Sequence, residues 1–410
     1  MNSFFASCEQ YDAPELRGRP VGVCPVLAEG GMTIAASAEA KRCGVNMTRA
    51  AEARRLCPDI TLLQARPARY VKLHEAVKQS IEKHVPITTT YSIDEWAVRL
   101  LGPEREPAEA EALARRVKRQ IFEDFDGALP CSVGLAPSRL LAKTACELHK
   151  PDGLTTLTMD EMPEKLASMK LSDIPGIGEG MDTRLRAADV DTPGKLWEMS
   201  RADCRRVWGS VQGEYFWSGF HGVDPVEPAT RRRSMGHAHI LPPKYRNLDG
   251  AYAILTRLLC KAAMRCRRDG YFAHRLRAHV SFESKLSWID EIELPGVNDT
   301  PSVVEHLERL WMRGPGRWAE VAGVNEGFST PKKVSVDLGG LASSSSTPGN
   351  LFPGADRPQR LSAALDAINL KFGPKIGRNA IYPGSMAAVA AYVMDDKIAF
   401  GRIPEEGIRM

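Results

Sequence analysis

Apolar positions along the chain change rhythm twice. Over residues 1–163, short apolar runs alternate with stretches of helical period. PVGVCPV (Pro20–Val26) and MTIAAS (Met32–Ser37) read as buried strands. Arg49–Leu56 and Tyr70–His84 read as helices, the second with Leu73, Val77 and Ile81 on one face. TTTYSI (Thr88–Ile93) and WAVRL (Trp96–Leu100) are β-like and flank Asp94-Glu95. A charged helix is predicted over Pro107–Phe125, with proline in its first turn. CSVGLA (Cys131–Ala136) is a strand leading into a helix over Ser138–Leu148. This alternation predicts an α/β or α+β body around a sheet.

Residues 164–225 shift to short helices joined by tight glycine turns. Within them, DIPGIGEGMDTRL (Asp173–Leu185) predicts a helix, a turn on Gly176 and Gly178, and a second helix. Such a helix-hairpin-helix lets backbone N–H groups approach a phosphate, although the same residues also suit a plain glycine turn. Residues 230–342 predict strand (Met235–Leu241), helix (Asp249–Arg268), strand (Arg275–Phe282), strand (Trp288–Leu294), helix (Pro301–Met312) and strand (Lys333–Leu338). That β-α-β-β-α-β order is a split βαβ unit. The Ser-rich Leu341–Asn350 closes it, ahead of a helix over Ser362–Gly373 and a strand-like Ala387–Met394. The chain as a whole reads as an α+β multidomain protein.

Composition narrows the class. Of 410 residues, 43% are hydrophobic and 26% charged, as in soluble globular proteins. No apolar run is long enough to span a membrane, and MNSFFASCEQ lacks the layout of a signal peptide, so a cytoplasmic protein with no membrane partner is expected. Nine scattered cysteines without a C-x-x-C pair point to buried thiols rather than a disulfide framework or zinc site. The net charge of +4 hides an asymmetry. Residues 231–280 hold twelve Lys or Arg, including Arg265, Arg268, Arg275 and Arg277, against two acids. A module so basic attracts phosphate backbones, or else forms a solvated face.

Asp94-Glu95 is the candidate for chemistry. Two acids at the junction of two apolar strands, without a basic neighbour in sequence, suit Mg²⁺, which takes few protein ligands plus substrate phosphates. By itself the dipeptide reads first as an exposed hairpin turn.

Five ordered motifs carry a resemblance that covers nearly the whole chain. They are MNSFFASCEQ (Met1–Gln10), AASAEAKRCGV (Ala35–Val45), YSIDEW (Tyr91–Trp96), SVGLAPSRLLAKTACELHKPDGL (Ser132–Leu154) and the glycine hairpin. The chain resembles Y-family DNA polymerases of the UmuC/DinB type. The resemblance implies a right-hand polymerase: a palm of residues 1–11 and 67–163 built on a sheet, small fingers of 12–66, and a helical thumb of 164–229 with the helix-hairpin-helix. A little finger of 230–342 and a tail of 343–410 follow. It implies translesion DNA synthesis with two Mg²⁺ ions on primer-template DNA and deoxynucleoside triphosphates. Asp94 would bridge the metals, Glu95 would hold the primer-side ion, and the Met1 carbonyl would be a backbone ligand. Phe5, on an opening strand, would be the steric gate, and Lys41 and Lys150 would reach the triphosphate. Gly176, Gly178 and the four arginines would hold DNA.

The chain departs from the family pattern in three places. The first catalytic aspartate falls immediately before Met1, so the chain is expected to be truncated there and its activity from Met1 reduced; the alternative is a catalytically impaired DNA-binding adaptor. Ala38 and Lys41 stand where DinB-type members carry tyrosine and arginine, which is more like the UmuC branch. PGNLF keeps only Leu351 and Phe352 of a peptide that docks on the sliding clamp.

Overall fold

The computed structural model describes residues 1–27, 31–226, 232–284, 286–315, 330–343 and 357–376. PGNLF, most of the Ser-rich stretch and Ala387–Met394 lie outside the described residues. The described residues form two compact units, one up to residue 226 and the other from residue 232.

The first unit opens with helix α1 (Phe4–Asp12), followed by β1 (Val21–Cys24), β2 (Ala35–Ala36), α2 (Ala38–Arg42), α3 (Ala50–Leu56) and β3 (Thr61–Gln64). β1 pairs antiparallel with β2 and parallel with β3. Helix α4 (Pro67–Glu82) leads to the hairpin β4 (Thr89–Ser92) and β5 (Glu95–Ala97). Then come α5 (Pro107–Asp124), β6 (Val133–Leu135), α6 (Arg139–Leu148) and β7 (Leu154–Thr156), with β6 and β7 parallel. One core joins Phe4, Ala6 and Cys8 of α1, Val21 and Val23 of β1, Tyr70, Leu73 and Val77 of α4, and Leu113, Val117 and Ile121 of α5. Period-3.6 apolar positions on α4 and α5 are what bury those faces.

Two N-terminal expectations are corrected. The opening strand is a helix from Phe4, whose one face carries Glu9 and Asp12 to Arg66, just before α4, and Arg69, in its first turn. The strand over Met32–Ser37 shrinks to β2 plus an isolated bridge from Met32 to Arg49.

The rest of this unit holds α7 (Glu179–Arg186), α8 (Pro193–Glu198), α9 (Arg201–Trp208) and α10 (Gln212–Phe220). They pack with α6 around Leu141, Leu166, Leu171, Ile174, Leu185 and Phe220. The expected first helix of the helix-hairpin-helix is a single 3₁₀ turn, Leu171–Asp173. Pro175, two residues on, favours an extended Ile174 before it and stops the turn from continuing. Gly176 sits at φ 91°, a left-handed conformation that favours glycine, and Gly178 is the N-cap of α7.

The second unit is β8 (Ser234–Ile240), α11 (Leu248–Arg268), β9 (Tyr271–Phe282), β10 (Ser287–Val297), α12 (Thr300–Trp311) and β11 (Pro331–Gly339). The antiparallel sheet runs β10-β9-β11-β8, with β12 (Ala342–Ser343) beside β9. Alternate residues Leu276, Ala278 and Val280 of β9, and Val334, Val336 and Leu338 of β11, are buried beneath α11 and α12. Helix α13 (Arg357–Ile376) packs on α12 and α11. Asp366 of α13 accepts two 2.7 Å bonds from Arg267 of α11. No helix among the described residues is long and apolar enough to cross a membrane. All nine cysteines are free, most of them buried.

Candidate active site

The β4–β5 hairpin presents Asp94 at its tip and Glu95 at the first position of β5. Two donors from elsewhere hold that tip. The Met1 α-ammonium donates to the Asp94 carbonyl at 2.7 Å. His74 of α4 is buried, stacks on Trp96, and places Nδ1 2.7 Å from the Ile93 carbonyl, so a proton there donates to it. The side chain of Asp94 is steadied by Ser92, whose hydroxyl donates to Oδ1 at 2.8 Å. Asn2 turns aside, its amide 3.3 Å from the Ser132 hydroxyl.

α6 supplies the opposing wall. Ser138 caps its N-terminus and donates to the Gly219 carbonyl of α10 at 2.5 Å. β6 packs directly on α6: a methyl group on Gly134 would stand 1.9 Å from the Ala142 carbonyl oxygen. This close approach brings Lys143, Glu147 and Lys150 alongside the hairpin. Lys143 pairs with Glu95, and Lys150 donates to Glu147 at 2.6 Å. The loop after Lys150 is tied down by Lys118, which donates to the carbonyls of Cys131 and Asp152 at 2.5 and 2.8 Å.

Two amines near this edge are shifted from their ordinary range. Burial lowers the pKa of the Met1 ammonium; Asp94 opposes that shift, and Lys150 adds to it. Lys41 at the end of α2 is also shifted down, mainly by partial desolvation and then by the charge of Lys150, with Glu147 opposing. The charge of Lys150 is thus felt both at the Met1 ammonium and at Lys41. Phe5 lies on α1, stacked on Tyr70. Asp94 and Glu95 offer hard carboxylate oxygens of the kind Mg²⁺ takes. Among the described residues no group of three or more His, Cys, Asp or Glu side chains is gathered to hold a metal.

Sequence reasoning missed Lys143, Glu147, Ser92, His74 and the Tyr70–Glu9 contact. The 143-147-150 spacing on one helix face was a usable signal for the first two. His74 and Tyr70 read only as members of a helix.

The predicted DNA-binding residues are dispersed. Gly176 and Gly178 are exposed in the first unit, where Glu179 and Asp182 already occupy the first turn of α7. In the second unit Arg265 Nη1 lies 3.3 Å from His237 Nε2, and Arg268 donates to Asp269 at 2.8 Å. Arg277 donates to Glu291 at 3.0 and 2.8 Å, with Arg275 3.9 Å from the same carboxylate. The exposed positive charge is smaller than the sequence count implied. Arg257 and Lys261 of α11 are only 7% and 3% exposed.

This geometry has relatives. The impB/mucB/samB family matches residues 1–147, and that family's C-terminal domain matches residues 232–351. DNA polymerase IV of Pelotomaculum thermopropionicum is 31% identical over 384 residues, 91% of each chain. DNA polymerase IV of Moorella thermoacetica is 30% identical over 391 residues, 93% of this chain and 94% of that protein. A Y-family DNA polymerase chimera shares the fold at a TM-score of 0.67, with 20% identity, over 83% of this chain and 97% of that one. The chain belongs to the impB/mucB/samB family, the Y-family DNA polymerases.

Proposed function

We propose that the chain copies damaged DNA templates by metal-assisted nucleotidyl transfer at the Asp94–Glu95 hairpin. The observation that carries this reading is the meeting at one hairpin of two carboxylates, the Met1 backbone and, through the Lys143–Glu147 pairs, Lys150. Acids for cations beside lysines for phosphates form the charge pattern that a metal–triphosphate needs. Asp94, Glu95 and the Met1 carbonyl would hold the Mg²⁺ ions. When bound, the ions lower the pKa of the primer 3′-hydroxyl and stabilise charge at the α-phosphate. Lys41 and Lys150 act as point charges on the triphosphate, and Phe5 excludes a 2′-hydroxyl.

Residues 1–11 and 67–163 would serve as palm, 12–66 as fingers, 164–229 as thumb and 230–342 as little finger, in a cytoplasmic enzyme. Gly176, Gly178, Arg265, Arg268, Arg275 and Arg277 would grip primer-template DNA, and Leu351 and Phe352 would dock on a sliding clamp. Primer extension across an abasic template position, with and without Mg²⁺, tests the reading. Extension that stops at the lesion, or that survives chelation of the metal, contradicts it. For the clamp, capture that persists after Leu351→Ala plus Phe352→Ala would remove that peptide from the account.

A further inference from the structure

Charges along one edge of the site alternate in sign. Glu95 pairs with Lys143, whose ammonium also lies 3.6 Å from Glu147 Oε1, and that same oxygen accepts from Lys150 at 2.6 Å. Residues 143, 147 and 150 recur at helical spacing, so α6 and its C-terminal exit hold them in a row. Lys143 is not among the lysines assigned to the triphosphate, and it meets the metal-binding carboxylate directly.

Asp94 and Glu95 are adjacent carboxylates that repel each other unless a cation lies nearby. Lys143 supplies that cation. Its side chain and that of Glu95 are 36% and 39% exposed, so the pair is solvent-screened and readily exchanged. A divalent ion carries twice the charge of an ammonium and, when present, competes for the same oxygens. Glu147 stands ready on the other side. Once a triphosphate draws Lys150 away, its Oε1 is released to receive Lys143.

Resting on the assignment of Asp94 and Glu95 to the metal, we propose that Lys143 is a positioning residue. It neutralises Glu95 until a divalent cation replaces it, and it then transfers to Glu147. The device would keep the empty site ordered and pass its counter-charges along α6 as the metal and nucleotide arrive.

The test is Mn²⁺ affinity of the full chain without DNA or nucleotide, measured by calorimetry. Lys143→Met should tighten Mn²⁺ binding about three- to fivefold, the range open to a screened ion pair. Lys143→Arg, which keeps the cation, should stay within about twofold of the parent. Lys41→Met removes the same charge without touching Glu95 and sets the general electrostatic contribution, which should be the smaller. Lys143→Gln is the second variant should the methionine disturb folding. Weaker Mn²⁺ binding by Lys143→Met or Lys143→Gln, or tightening no greater than that of Lys41→Met, overturns the proposal. Asp94→Asn and Glu95→Gln should both weaken Mn²⁺ binding. If neither does, the metal assignment itself fails, whatever Lys143 does.

Discussion

Phe5 and Tyr70 stack with ring centroids 4.5 Å apart and planes 19° apart, and the Tyr70 hydroxyl donates to buried Glu9 at 2.6 Å. Glu9 also receives the fork of Arg66, at 3.0 Å from Nε and 2.5 Å from Nη2. The ring assigned to sugar selection therefore rests on a phenol held by a buried carboxylate that also pairs with the half-exposed Arg66. Phe5→Ala should raise ribonucleotide incorporation in primer extension, while Tyr70→Phe, which keeps the stack, should leave it near the parent level. Unchanged ribonucleotide use by Phe5→Ala would remove Phe5 from that role. Tyr70→Phe should instead cost about 1–3 kcal/mol in urea unfolding, because Glu9 loses a donor in the core.

Asp12 ties the same two helices together and makes them sensitive to acid. Its carboxyl is held below the ordinary range, first by the hydrogen bond from Arg69, then by the charges of Arg69 and Arg66, with burial opposing. A depressed folded-state pKa contributes stability that is complete above the unfolded value of about 3.9 and is lost as pH falls through the folded value. Asp12→Asn should therefore be destabilised by about 1–2 kcal/mol near neutrality. The gap to the parent should close as pH is lowered below ~4. Urea unfolding across that range measures it, and a gap that widens in acid would contradict the assignment.

Two glycines should respond oppositely to alanine. A methyl on Gly134 would overlap the Ala142 carbonyl, so β6 and α6 must part, at a cost of about 1–3 kcal/mol. Gly180, inside α7, has nothing within 4 Å of such a methyl. Its alanine variant should gain up to about 1 kcal/mol from helix propensity. Thermal midpoints of the two variants give the comparison.

The second unit shows how far local pattern reaches. Its six main elements lie where period-2 and period-3.6 apolar runs place them, because each strand and helix buries one face of its own. The N-terminal segment is different. FFASCEQYD has an apolar start that suits a strand, and its helix is secured by Arg66, Arg69 and Tyr70, more than fifty residues away in sequence. The Asp94–Glu95 hairpin was legible through its flanking strands and through resemblance to the family. The Lys143 contact was not, because it joins a helix to a hairpin 48 residues apart. Counting basic residues also misled, since a linear count cannot see that Arg257 and Lys261 are buried.

DNA grip by the second unit should be limited by its own acids. Glu291 engages both Arg277 and Arg275. Glu291→Gln should release them, strengthen primer-template binding and steepen the dependence of log K on log salt. Arg275→Ala with Arg277→Ala should flatten that slope by about 1.8, as expected for two lost phosphate contacts. Slopes unchanged in both variants would place the DNA elsewhere.

The central claim is that carboxylates at the β4–β5 tip hold the metals for DNA synthesis. Its most direct measurement is single-nucleotide primer extension, with DNA affinity measured in parallel, by the parent chain and by Asp94→Asn. Asp94→Asn should reduce the rate about a thousandfold or more, the equivalent of several kcal/mol of transition-state stabilisation, while DNA affinity holds. Equal, robust extension by both would show that the metal ligands lie elsewhere. No extension by either, with normal DNA binding, would contradict an enzymatic role and favour an adaptor.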